Sequence, residues 1–400
     1  MLVTTVIGTC PSCGVADIFG NVMIRTDHVL RGCKRCSYSE RVPLPQLAKQ
    51  IIYLDQFFFS AAFREGDSRF VEAAELIKRA TAGQVLLAPF SSIHEDETHQ
   101  WRGFDGRKKE DLMQFIKATS HGHKFEPNYT VEHDQILDAF ESFLAGSTTE
   151  FVLERRIALS TDVDQWEDYF RIDVGGYRGD IELIRDLKNQ GIDVLIDSVF
   201  PAWRSSIATF DKNVEIERRE SARCYLKLYD DYMKRIGSGD YDALSDSPVA
   251  SMIVRDMLRT LPDGTGTPEK FRRVNEFFAS DHFANAPNGW ISSRIFSVLR
   301  EQVRNGAYRS PEESKRRLFG FLNDVKHISI YAPFVNAIVV DQPMAAIFAD
   351  GRVNVARRYG TRVFSLNNWQ ELLAWLQSLI DSMSTEHRRG LELAYPSSLP

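Results

Sequence analysis

The chain has 400 residues, 43% apolar and 26% charged, with a net charge of −6. That is an ordinary soluble composition with material for two or three domains and a large buried core. No apolar run reaches membrane-spanning length, and the start MLVTTVIGTCPSCG lacks the basic flank, apolar centre and cleavage site of a secretory leader. The expected compartment is a reducing cytoplasm, where cysteines serve metals or cores rather than disulfides.

Charge is unevenly spread. Residues 1–46 carry five basic groups (Arg25, Arg31, Lys34, Arg35, Arg41) against three acids (Asp17, Asp27, Glu40), giving +2 and leaving −8 for the remainder. The chain is no polybasic clamp, so any polyanion contact must be local or relayed by metal ions.

Residues 1–44 hold four of the five cysteines, as Cys10-x2-Cys13 and Cys33-x2-Cys36 with 19 residues between the pairs. Two residues between cysteines let a tight turn aim both sulfurs at one ion, and two such turns complete a tetrahedron around Zn²⁺. Gly14 and Gly32 relieve the backbone beside each turn. The intervening VADIFGNVMIRTDHVL predicts a hairpin turning at Gly20-Asn21. A segment this small needs the metal for its folding energy. The arrangement resembles a zinc ribbon, which could touch nucleic acid through RGCKRCSYSER or dock a protein partner.

Residues 45–102 open the main fold. IIYLD, residues 51–55, reads as a buried strand that ends on a carboxylate. Helical spacing follows from Ser60 to Arg79, closed by Gly83 as a glycine tolerating positive φ. QVLLAPF predicts a second buried strand, and SSIHEDETHQW a helix capped by Ser91 or Ser92. A right-handed strand–helix–strand crossover makes the two strands parallel. Asp55 and Glu97 then leave the same carboxyl edge, where α/β proteins build sites.

Residues 103–315 are too long for a loop. TVEHDQILDAFESFLAG, SARCYLKLYDDYMKRIG and SPEESKRRLFGFLNDV have helical periodicity, and DYFRIDVGGYRGDIELIRDLKNQ becomes helical after its Gly-Gly break. The segment reads as a mainly helical insertion beside the sheet, with Cys224 a buried thiol. HGHKFEPNYTVEH gathers three histidines without regular ligand spacing and reads as a loop.

Residues 316–383 resume the fold. Asp324 opens a short helix of roughly 11 residues, about 16 Å. AIVVD returns as a strand of similar length. Asp324 and Asp341 should therefore meet at the edge that holds Asp55 and Glu97. MAAIFADGRVNVARRYG then suits a helix, TRVFSL a strand, and NWQELLAWLQSLIDSM an amphipathic helix capped by Asn368. Residues 384–400 read as a loosely ordered tail. Four carboxylates at one edge repel one another unless cations neutralise them, and Mg²⁺ or Mn²⁺ suits oxygen ligands. Singly, each acid could as well cap a helix or sit in a solvated turn.

IYLDQ, APFSSIHEDE and KHISIYAPFVNAIVVD together resemble PIN-like nuclease domains, in particular the variant with YLDQ in the first strand and Ser-x-x-His-x-x-Glu after the second. The likeness covers about residues 45–100 and 318–375. It implies an α/β fold, a PIN-like parallel sheet flanked by helices, and a metal-dependent nuclease cutting RNA more often than DNA. Asp55, Glu97, Asp324 and Asp341 match the family's acidic quartet. Such enzymes leave a 5′-phosphate and a 3′-hydroxyl. Members often carry an acid where this chain has Asn336, which offers an oxygen without charge. His94, a turn before Glu97, could touch substrate phosphate or serve structure. Arg102, Arg107, Lys108 and Lys109 in WRGFDGRKKEDL are candidates for nucleic-acid contact, against a solvated loop. The alternative function is a catalytically inert nucleic-acid-binding or regulatory adaptor.

Overall fold

A computed structural model describes residues 1–159, 162–171 and 181–396. The Gly-Gly break at residues 175–176 lies outside them.

The first 43 residues form an antiparallel sheet of four strands in the order β1 (Thr5–Gly8), β2 (Phe19–Ile24), β3 (His28–Cys33) and β4 (Ser39–Pro43). The expected turn at Gly20-Asn21 is not there. Gly20 pairs with Gly32 inside the β2–β3 ladder, and the chain reverses between Ile24 and His28. Gly20 is glycine because the Thr5 carbonyl oxygen lies 1.9 Å from where a Cβ would stand. It permits a close approach of strands rather than a bend.

The second sheet is parallel throughout, in the order β6 (Leu86–Leu87), β5 (Gln50–Leu54), β7 (Ala337–Val339), β8 (Arg362–Phe364). Its strands are continuously apolar because both faces are covered. Ile51, Tyr53, Ile338 and Val340 face one core with the insertion's helices. Ile52, Leu54, Ala337 and Val339 face a second, against helices α1 (Gln56–Arg64), α2 (Ser68–Ala82) and Trp369–Asp381. Alternation along β5 thus sends successive side chains into different cores.

Several local expectations change. The single helix expected from Ser60 to Arg79 is two, separated at Glu65, which sits in the left-handed region at φ 55° and ends α1. Gly83 caps α2 at φ −74°, and the positive φ falls on Gln84. The second strand keeps only Leu86–Leu87 of QVLLAPF. Residues 342–360 form two short helices, Gln342–Phe348 and Val355–Tyr359, with one helical turn between.

Between α3 (Ser92–Gln100) and β7, helices dominate and no strand occurs among the described residues. The longest, Phe210–Gly237 and Pro287–Arg304, pack side by side. Cys224 is exposed on the former, not buried as expected. A separate core around Phe140, Ile253 and Phe277 belongs to this insertion.

The tail is also more ordered than its composition suggests. Thr385–Ala394 is a helix whose Leu391 and Ala394 are buried with Val29, Leu44, Leu47 and Trp166. Asn21 Nδ2 donates to the carbonyls of Leu393 and Ala394 at 2.8 and 3.3 Å, tying the antiparallel sheet to the C-terminal helix. None of the described helices is long and apolar enough to cross a membrane.

Candidate metal centres

The four cysteines meet. Their sulfurs all lie within 4.8 Å of one another, with Cys10–Cys36 at 3.7 Å and Cys13–Cys33 at 3.8 Å. Tetrahedral bonds of about 2.3 Å imply sulfur–sulfur edges of about 3.8 Å, so the spacing is that of a ligand cage. The two turns are built for it. Gly14, at φ +68°, follows the first pair. The N–H groups of Arg35 and Cys36 point at Cys33 Sγ from 3.3 and 3.4 Å, which favours the thiolate that a metal needs. These residues could hold a structural ion such as zinc.

The acids meet at the carboxyl edge of the parallel sheet. Leu54 of β5 pairs with Val339 of β7, so the two parallel strands release Asp55 and Asp341 at one edge. Each acid begins a helix: Asp55 Oδ1 accepts from Gln56 N at 2.7 Å, and Asp341 Oδ1 accepts from Met344 N at 2.9 Å. In each case the cap bond holds one carboxylate oxygen at the start of its helix. The Phe321–Tyr331 helix carries Asp324 in its first turn, and α3 carries Glu97, whose Oε1 accepts from Asn323 Nδ2 at 3.2 Å. All four acids line one cavity of about 480 Å³. Burial raises the Asp341 pKa. Tyr53, buried behind them, has its pKa raised well above normal by burial and by the charges of Asp55, Glu97 and Asp324. Among the described residues, however, the cysteines are the group whose ligand atoms converge within 4.8 Å.

His94 does not face this cavity. It is 1% exposed, its Nδ1 accepts from Ser91 N at 2.8 Å, and its Nε2 therefore carries the proton that Leu54 O accepts at 2.8 Å. The ring fixes α3 to the residue before Asp55. Burial lowers its pKa to about 4, so the ring is neutral.

The basic candidates are also displaced. Arg102 and Lys108 are exposed, and neither they nor Lys109 lines the carboxylate cavity. Lys109 borders a different cavity with Glu95 and His99, while Lys108 N donates to Asp111 at the start of a helix. Arg107 turns its guanidinium over the Phe63 ring and to the Phe63 carbonyl. The cation in the carboxylate cavity is Arg64, beside Phe57, Trp101 and Phe319. Sequence reasoning passed over it, although Gln56, Ser60 and Arg64 repeat every fourth residue after Asp55, which puts them on one helical face.

Asn336 is not part of the site either. Its backbone and side chain clasp Ile51 at 2.8 and 2.9 Å. It precedes β7 and so lies at the amino edge of the sheet, opposite Asp341.

No family model, curated protein or solved structure matches this chain.

Proposed function

We propose that the chain is a metal-dependent phosphodiester hydrolase of PIN-like type, acting on RNA in preference to DNA, with a zinc ribbon at its N-terminus. The observation that carries this reading is the convergence of Asp55, Glu97, Asp324 and Asp341, from four separate elements, on one cavity. Acids so gathered fit a hard divalent cation, Mg²⁺ or Mn²⁺, since their mutual repulsion otherwise opposes the fold. Such a cation, when bound, lowers the pKa of a coordinated water and offsets charge on phosphoryl oxygens.

The protein's own part is positional. Asp55 and Asp341 supply ligand oxygens from helix starts, where backbone N–H groups hold each carboxylate in place. Glu97 is oriented by Asn323 and Asp324 by its helix. Arg64 offers a fixed cation for a phosphate oxygen, and the rings of Phe57, Trp101 and Phe319 provide apolar walls on which an unpaired base can lie.

Labelled single-stranded RNA and DNA incubated with Mn²⁺ or Mg²⁺ test the reading, wild type beside D55N. Cleavage by the wild type alone supports it; equal cleavage, or none, refutes it. An inert nucleic-acid-binding or regulatory adaptor is the second reading. It is favoured by the tight convergence of ligand atoms at the cysteines rather than the carboxylates, and would give RNA binding without turnover.

A further inference from the structure

Many arginines of residues 103–383 are paired with acids. Arg235, Arg272 and Arg352 each bridge two carboxylates. Arg218, Arg294 and Arg358 break that pattern. They come from three elements, Phe210–Gly237, Pro287–Arg304 and Val355–Tyr359, and none has a carboxylate within 4.0 Å among the described residues. In a chain where 55 acids outnumber 49 lysines and arginines, three arginines without an ion pair stand out.

The geometry is built. The Arg294 guanidinium lies over the Trp290 ring at 3.9 Å and that of Arg358 over the same ring at 4.6 Å. Trp290 is buried and stands edge-on to Tyr359. Arg358 also donates to the Tyr359 hydroxyl and to Asn285, each at 3.1 Å. Arg294 donates to the Trp290 carbonyl at 3.1 Å, and Arg218 Nε is buried without a partner. Among the described residues, these are the guanidiniums' hydrogen bonds to protein, one from Arg294 and two from Arg358. Burial, then the neighbouring charges of Arg358 and Arg218, pushes Arg294 down to about 10, with Asp211 acting only through space. The ring face offsets part of the repulsion but supplies no acceptor oxygens.

The geometry points to a phosphate-binding site at Arg218, Arg294 and Arg358, distinct from the carboxylate cavity. The ligand is a phosphate oxyanion, from a polynucleotide backbone or a small phosphorylated compound; planar guanidiniums match its oxygens in pairs. Arg358 precedes β8 and so stands at the amino edge, across the sheet from Asp341. Arg218 also borders a cavity of about 480 Å³, but Glu132, Glu217 and Glu220 line it together with Lys326, so the oxyanion site is assigned to the Trp290 side and not to that cavity. The inference does not depend on hydrolysis.

Its test uses the zinc-loaded full chain with D55N and no added divalent ion. Polarisation of labelled single-stranded RNA is read across salt concentrations, with and without R294Q/R358Q. Melting temperature is read with and without pyrophosphate and ATP. If the backbone is the ligand, R294Q/R358Q weakens RNA binding at least about tenfold at low salt and lowers the salt slope by about two. If a small compound is the ligand, RNA binding holds, but the melting shift given by pyrophosphate or ATP disappears. Should the double variant fail to fold, R358Q alone carries the test, since Arg358 is exposed. Unchanged RNA affinity and slope, with phosphate compounds shifting both proteins equally or not at all, overturns the proposal.

Discussion

His94 donates through Nε2 to the backbone carbonyl of Leu54 across 2.8 Å, a bond between the helix that bears Glu97 and the strand that ends at Asp55. It sets the distance between two acids that lie 42 positions apart in the chain. Removing the ring leaves two buried backbone groups without partners as well as a void. H94A should therefore cost about 3 kcal/mol of stability, measured by denaturant unfolding. Any hydrolytic activity should fall with it, because Asp55 and Glu97 lose their common reference.

The same ring predicts a pH dependence. Unfolded, a histidine takes up its proton near pH 6.5; folded, His94 resists until about pH 4. The unfolded state thus binds more protons in that window, and stability rises with pH across it. His94 contributes fully above about pH 6.5, and its contribution, about 3 kcal/mol, is lost as pH falls towards 4. Unfolding curves at pH 7 and pH 4.5 measure this, and H94Q should show a shallower loss.

Asparagine caps a helix as well as aspartate does. D55N and D341N keep the cap bonds to Gln56 and Met344 while removing a charge from a crowded cavity. Both should melt no lower than wild type without divalent ions, yet fall at least about a hundredfold in RNA cleavage. D341A, which loses the cap as well, should be destabilised by about 1 kcal/mol.

Zinc removal should act at a distance. Asn21 joins the cysteine-bearing sheet to the carbonyls that end the C-terminal helix. Chelation, or C33S, should raise hydrogen exchange in β1–β4 and in Thr385–Ala394 together, leaving β5 and β7 protected. N21A should loosen that last helix alone, with zinc content unchanged.

The parallel sheet and its acidic edge were legible because β5 and β7 are buried on both faces, which gives unbroken apolar runs that each end on an acid. Order in the tail was not. The C-terminal helix has little apolar face of its own, and its order comes from Asn21, Val29 and Trp166, far away in the chain. Glu65 shows a second blind spot: a non-glycine residue at positive φ ends α1, and no composition rule marks it. Asn336 shows a third. The PIN-like domains that this chain resembles often carry an acid at its position, but the strand between it and Asp341 puts the two at opposite edges. Accordingly, N336D should leave Mn²⁺ affinity unchanged.

The most direct measurement is anomalous diffraction from crystals soaked with Mn²⁺. Metal binding at this edge predicts a peak in the cavity between Asp55 and Asp341, at about 2.1 Å from an oxygen of each. No peak there at saturating Mn²⁺, or one whose ligands exclude both residues, would contradict it.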